Sequence, residues 1–347
     1  MNKYSFKNDY SEGAHPNIIK VLSETNFLQT EGYSQDIFCK KAAEIIKSYL
    51  QNDDVDIHFV TGGTQANLIM ISSILRPYEA VISADTGHIN VHEAGAIENC
   101  GHKIITIDST DGKLYPEQII EVLDKHTDEH MVKPKAVYIS NSTETGTVYK
   151  LKELQNISNI CKQHNLYLVL DGARIASAIV SSKSNLTLQD IAEYCDIFTI
   201  GGTKNGAMLG EAIVICNENF KEDFRYNIKQ KGGLIAKGRI LGIQFLELFK
   251  NNLYYDLARH ANDMSFLIAD ELKKLGVNFL YPVESNQIFP ILDNKLINYL
   301  LEKFEFYIWE KLDENTSAIR IVTSWATDEK SVKKFIEEVK SFLTKIN

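Results

Sequence analysis

Basic charge is scarce in this chain, which carries 37 Lys and Arg against 46 Asp and Glu, for a net charge of −9 and an isoelectric point of about 5.6. Nucleic acid and anionic membrane both need a basic face, so neither is expected as a partner. Long apolar runs are missing too. No stretch approaches the ~18 uninterrupted apolar residues of a membrane-spanning helix, and residues 1–9 lack the apolar core of a signal peptide. The five cysteines (Cys39, Cys100, Cys161, Cys195, Cys216) are odd in number, scattered and never arranged as CxxC. That spacing supports neither a disulfide framework nor a zinc knuckle and fits a reducing cytosol. There is no internal repeat and no low-complexity linker. A soluble, cytoplasmic globular protein is the expectation.

What is present is ordinary in bulk and ordered in pattern. The hydrophobic fraction of 44% and charged fraction of 24% suit a packed domain, and 347 residues can hold a large α/β unit with a smaller one beside it. β-rich runs at 55–61, 80–84, 103–108, 135–141, 166–171, 196–201 and 212–216 alternate with helical spacing at 64–75, 116–125, 151–164 and 188–194. Pro116 suits the first turn of its helix, where a missing N–H matters little. Such alternation predicts a mostly parallel, doubly wound seven-stranded sheet with helices on both faces. Beyond about residue 240 the pattern changes to a long helical run to 275, strand candidates at 277–281, 287–292, 304–309 and 318–323, and an amphipathic helix over 329–343. This predicts a large domain over 1–245 and a smaller α+β domain over 246–347.

Lys204 is the residue that speaks most directly of chemistry. It follows the apolar run Ile197-Phe198-Thr199-Ile200 and Gly201-Gly202-Thr203, and 33 residues upstream another apolar run ends in Asp171. An amine and an acid, each at the exit of a buried strand, is what pyridoxal phosphate chemistry requires. The amine forms a Schiff base with the cofactor aldehyde, and the carboxylate keeps the pyridine nitrogen protonated so that the ring accepts electrons. The plainer reading makes Lys204 a solvated turn residue. Gly62-Gly63-Thr64 joins a strand to a helix, where backbone amides and the helix dipole can hold a phosphate, although it matches neither GxGxxG nor a P-loop. His88 and His92 stand four apart, as a metal pair would on a helix, yet no third ligand is evident and no metal is expected. The alternatives are an imidazole stacked on a flat cofactor ring and a capping or core histidine. Arg174 and Arg320 each suit either a substrate carboxylate or an internal ion pair.

Several of these segments together resemble the threonine aldolase / β-eliminating lyase family of fold-type I pyridoxal phosphate enzymes. The matching pieces are 62–67, 88–95, 141–146, 171–174, 203–206 with 210–212, 231–239 and 320–323, in the family's order over nearly the whole chain. The resemblance implies an aspartate aminotransferase-type large domain with a small C-terminal domain. It also implies cleavage of a β-hydroxy-α-amino acid such as threonine or allo-threonine, with β-elimination, or a homologue that binds the cofactor without turnover, as alternatives. By position, Lys204 would join the cofactor, Asp171 would pair with the ring nitrogen and His88 would stack on the ring. Gly62, Gly63, Thr64 and Thr203 would hold the phosphate, and Arg174, Arg320 and Asn8 the substrate carboxylate. Family members are dimers of dimers with shared sites, so Tyr33 and the 231–239 loop, with Lys237 near the phosphate, would reach in from a neighbouring copy of the chain. Many members carry a histidine near the substrate hydroxyl where this chain has Glu144, and an acid where it has Asn141. His88 is the expected proton relay, with Glu144 as competitor.

Overall fold

The computed structural model describes residues 3–346. Thirteen strands form three sheets. The central one contains β2 (Asp56–Val60), β3 (Glu79–Ala84), β4 (Ile104–Ile107), β5 (Lys133–Ser140), β6 (Tyr167–Asp171), β7 (Ile197–Gly201) and β8 (Glu211–Ile215), in the order β2-β8-β7-β6-β5-β3-β4. Every neighbouring pair is parallel except the two made by β8, which runs antiparallel to β2 and β7. The seven-stranded, mostly parallel sheet expected from the alternation is therefore present.

Its inner strands are largely apolar because both faces are covered. Val137, Leu168, Leu170, Phe198 and Val214 pack on one side, against the helices Ile37–Leu50, Leu151–Gln163 and Arg239–Phe249. Val81, Ala136, Val169, Ile197 and Ile213 alternate with them and pack on the other side, under the helix Gly63–Ile74. Antiparallel β8 leaves β2 pointing the same way as β3 and β5 to β7. The carboxyl ends of these strands thus share one edge with the first residue of β8, and that edge is where α/β sheets carry their ligands.

The smaller unit holds β9 (Gln287–Ile288), β10 (Ile291–Asp293), β12 (Tyr307–Lys311) and β13 (Thr316–Val322), with β13 central. β1 (Tyr4–Ser5) lies parallel to β11 (Phe304–Glu305). Fully buried Phe6 packs with Phe304 and Phe335, so the N-terminal segment joins the smaller core rather than the larger unit expected to begin at residue 1. Nor do the cores part at 245. Helix Leu253–Lys274 carries Tyr254, Leu257 and Ala258 into the large core and Met264, Ile268 and Leu272 into the small one.

Two local expectations are corrected. The run 240–275 is not one helix: Arg239–Phe249 and Leu253–Lys274 are separated at Asn251 and Asn252, whose φ values of 54° and 61° lie in the left-handed region that asparagine tolerates. Residues 277–281 form only a single bridge, Phe279 to Pro290, and Pro290, which has no N–H to donate, divides 287–292 into β9 and β10.

Candidate active site

The sheet edge opens into a cavity of about 570 Å³, walled by the exits of β2, β5, β6 and β7 on one side and by Tyr307 and Arg320 of the small domain on the other. Lys204 stands in the turn between β7 and β8. Asn205 and Ala207 amides donate to the Gly202 carbonyl at 2.9 and 3.0 Å, and the Gly210 amide donates to Thr203 Oγ1 at 3.0 Å. Tyr254 OH donates to the Gly201 carbonyl at 2.8 Å and Asn205 Nδ2 to the Tyr254 carbonyl at 2.7 Å, which pins the turn to the long helix. The amine so placed is hard to keep charged. Burial and then Arg174 push Lys204 below its ordinary value, while Asp9, Asp171 and Glu211 pull the other way without restoring it.

Asp171, the last residue of β6, accepts hydrogen bonds from Tyr138 OH at 2.7 Å, Asn67 Nδ2 at 2.9 Å and the Ala173 amide at 2.8 Å. Burial works against its charge, yet His88, Asn67, Tyr138 and Lys204 together hold the carboxyl below its ordinary value. It is thus a buried carboxylate ready to face a cation. Asn67 Nδ2 also reaches Glu93 Oε1 at 2.8 Å, and the same oxygen lies 2.8 Å from His88 Nδ1. His88, Glu93, Asn67, Asp171 and Tyr138 form one connected network that fixes the imidazole and the acid relative to each other.

Glu144 Oε1 accepts from the His88 backbone amide at 3.0 Å and from Ser140 Oγ at 2.7 Å, and burial raises its carboxyl above the usual range. Glu211, on the other flank of Lys204, is 3% exposed. Burial pushes it up to about 8 against the pull of Lys204, and its Oε2 has no partner among the described residues.

Helix Gly63–Ile74 begins at the cavity, and its N-cap, Gly62, supplies no side chain to its first amides. A methyl group added at Gly62 or Gly63 would meet nothing within 4 Å, and the Gly62 φ of −173° is open to any residue. These glycines therefore provide room rather than unusual backbone. Free amides above open space, a carboxylate and an amine on the same cavity fit a flat, phosphate-bearing aldehyde such as pyridoxal phosphate.

The two arginines differ. Arg174 Nε and Nη2 clasp Asp9 Oδ2 and Oδ1 at 2.7 and 2.9 Å, which is the internal ion pair weighed above, and Arg174 still lines the cavity. Among the described residues Arg320, on β13, has only the Lys7 carbonyl at 3.3 Å and a buried Nε without a partner, and its guanidinium stands 5.8 and 5.6 Å from the ring centres of Tyr307 and Trp309.

Three expected residues lie off the cavity wall. Asn8 turns its carbonyl oxygen to the Tyr10 amide and Ser11 Oγ at 3.0 and 2.9 Å. Tyr33 and exposed Lys237 sit together elsewhere on the surface, joined by the Tyr33 amide donating to the Ala236 carbonyl at 3.1 Å. Arg239 is occupied inside the chain by the carbonyls of Leu28 and Thr25. Among the described residues no group of three His, Cys, Asp or Glu is placed to hold a metal. The sequence reading passed over Asp9, Asn67, Glu93, Tyr138 and the carboxyl of Glu211. Asn67, Glu93 and Glu211 lay within the matching segments, and an acid heading the apolar run Ala212–Ile215 was the available signal for Glu211.

A family model for β-eliminating lyases matches residues 25–295. The low specificity L-threonine aldolase of Pseudomonas sp. (strain NCIMB 10558) is 34% identical over 287 residues, 81% of this chain and 82% of that one. A solved threonine aldolase from Leishmania major superposes with a TM-score of 0.97 at 49% identity, covering 98% of this chain and 99% of its own. An aspartate aminotransferase from Thermus thermophilus superposes with a TM-score of 0.70 at 15% identity, which shows the shared fold. With the model spanning most of its length and a relative this similar over four-fifths of it, the chain belongs to the β-eliminating lyase family.

Proposed function

We propose that this protein is a pyridoxal phosphate-dependent lyase that cleaves threonine or allo-threonine to glycine and acetaldehyde. One observation carries the reading: Lys204 and the ionised Asp171 face one cavity whose other wall presents Arg320 with an unpartnered nitrogen. When bound, the cofactor supplies an electron sink for the bond being broken. The chain supplies the rest. Lys204, held below its ordinary pKa by burial and Arg174, would offer its amine to the aldehyde. Asp171 would hold the ring nitrogen protonated, and His88, oriented by Glu93, would stack on the ring. The first amides of helix Gly63–Ile74, with Thr64 and Thr203, would receive the phosphate. Arg320 takes the substrate carboxylate, and Arg174, steadied by Asp9, borders it. The hydroxyl proton leaves through a relay, for which the family resemblance nominates His88 with Glu144 in competition.

The site is completed by a second copy of the chain in a dimer or tetramer, in the cytoplasm. Support comes from a surface that carries Tyr33, Lys237 and the exposed apolar side chains of Phe27, Leu28, Ile37 and Tyr226, with Phe27 95% exposed. Borohydride treatment of the holoenzyme should fix cofactor mass on the Lys204 peptide, and Lys204→Ala should lose both that adduct and acetaldehyde release from threonine. An adduct on another lysine would overturn the assignment. Pyruvate from serine in place of acetaldehyde from threonine would favour β-elimination.

A further inference from the structure

His92 lines the cavity, and neither of its ring nitrogens has a hydrogen-bond partner among the described residues. His88, whose ring centre lies 5.4 Å away, has committed Nδ1 to Glu93, and its ring face is assigned to the cofactor. Glu144 has one oxygen engaged twice, by the His88 amide and Ser140 Oγ. The charged groups facing His92 come from several sides of the site: His88 from its own segment, Arg320 from β13, Lys204 from the β7–β8 turn and Arg174 from the exit of β6, with Glu144 lining the same cavity. Burial, and then these four cationic groups in the order given, push the imidazole below its ordinary value of 6.5. At neutral pH it is an uncharged base.

A substrate held with its amino nitrogen toward Lys204 and its carboxylate on Arg320 would meet in the same cavity the His92 imidazole, whose ring nitrogens have no hydrogen-bond partner among the described residues. We propose that His92 is the catalytic base that accepts the β-hydroxyl proton of the substrate, an assignment that rests on the lyase reading above. The proton passes from the hydroxyl to a free imidazole nitrogen. The O–H electron pair becomes the second C–O bond of the departing aldehyde, and the Cα–Cβ bond breaks. Its electron pair remains on Cα, stabilised by the cofactor, and is later protonated to give glycine. No external oxidant or reductant is involved.

His92 is exposed at the cavity mouth, so its replacement should leave the fold intact. His92→Ala, His92→Asn and Glu144→Gln are compared with the wild-type holoenzyme for kcat on L-threonine across pH, for glycine affinity from the visible spectrum, and for rescue by added imidazole. Both His92 variants should lose about 10²- to 10⁴-fold in kcat, the usual range for a positioned base. Glycine, which has no hydroxyl, should bind them as it binds wild type. Imidazole should restore part of the rate to His92→Ala, and the fall in wild-type rate below pH 6.5 should vanish in both. Wild-type rates in the His92 variants, or loss of the acid limb in Glu144→Gln alone, would overturn the assignment. If the wild type releases no acetaldehyde, the lyase reading fails and takes this assignment with it. If the wild type releases acetaldehyde but His92→Ala is neither slowed nor rescued, only the assignment fails.

Discussion

Arg174 and Arg320 border the same cavity from different domains and are held in opposite ways. Arg174 is clamped by both oxygens of Asp9, which is itself 1% exposed and takes a further bond from Asn286 at 3.0 Å. Arg320 has one long bond to a backbone carbonyl, two aromatic neighbours and a buried Nε with no acceptor among the described residues. The same contrast extends to their surroundings. On the large-domain side His88, Glu93, Asn67, Asp171 and Tyr138 are joined by hydrogen bonds, whereas the opposite wall offers Arg320 and the exposed ring of Tyr307. A cofactor that stays through every turnover is served by a prebuilt wall. A substrate that comes and goes needs donors left free until it arrives, because a buried donor that gains a charged acceptor is worth more than one already satisfied.

The contrast can be broken most forcefully at Asp9. Asp9→Ala would strand the Arg174 guanidinium in a mostly buried position, and removing one partner of such a pair destabilises by about 3–5 kcal/mol. Denaturant unfolding of the cofactor-free protein should register a loss of that order, and a loss below about 1 kcal/mol would show that the clamp is not holding the fold. The pH dependence has a definite sign. Burial raises the Asp9 carboxyl, but Arg174, Lys204 and the bonds from Arg174 and Asn286 outweigh it, so its folded-state pKa lies below the ordinary 3.8. The folded protein therefore binds this proton less readily than the unfolded chain. The stabilisation is complete above the ordinary value and is lost as pH falls through the lower folded value, and Asp9→Ala should erase that part of the acid transition.

Arg320→Ala should do the reverse, sparing the fold and weakening the ligand. Amino-acid affinity, read from the visible spectrum of the holoenzyme, should fall by about 1.5–3 kcal/mol, the range for a charge-assisted hydrogen bond. The unfolding midpoint should move far less than in Asp9→Ala. Equal stability losses in the two variants would erase the distinction between a structural and a receiving arginine.

This difference between the arginines was not legible in the sequence, and the reason is physical. Lys204 and Asp171 could be read because each follows an apolar strand, so local pattern alone places them at the sheet edge. Arg174 and Asp9 are 165 residues apart, and nothing around either one announces the other. Asn67 and Glu93 were hidden in the same way, since a hydrogen-bond network across helix and loop has no period. At the level of fold, the alternation of strands and helices exposed the large sheet, whereas the smaller unit was blurred by strands of two or three residues and a proline between two of them. The place of residues 4–6 in the small core depends on pairing with residues 304–305, a contact across almost the whole chain.

The smallest effect on the fold is expected at Gly62, where it separates backbone need from ligand need. Its φ of −173° is accessible to any residue, and an added methyl group meets nothing within 4 Å. Alanine is a poorer N-cap than glycine but restricts the unfolded chain, two small terms of opposite sign. Stability of the cofactor-free protein should then stay within about 0.5 kcal/mol of wild type, as for substitutions that disturb no contact. The methyl group would nevertheless project from the N-cap of helix Gly63–Ile74 where it opens on the cavity, the place assigned to the cofactor phosphate. Gly62→Ala should therefore bind pyridoxal phosphate more weakly, in an equilibrium titration of the cofactor-free protein, while melting at the wild-type temperature without it. If the cofactor-free protein were destabilised as well, Gly62 would serve the backbone; if cofactor affinity were unchanged, the phosphate would lie elsewhere.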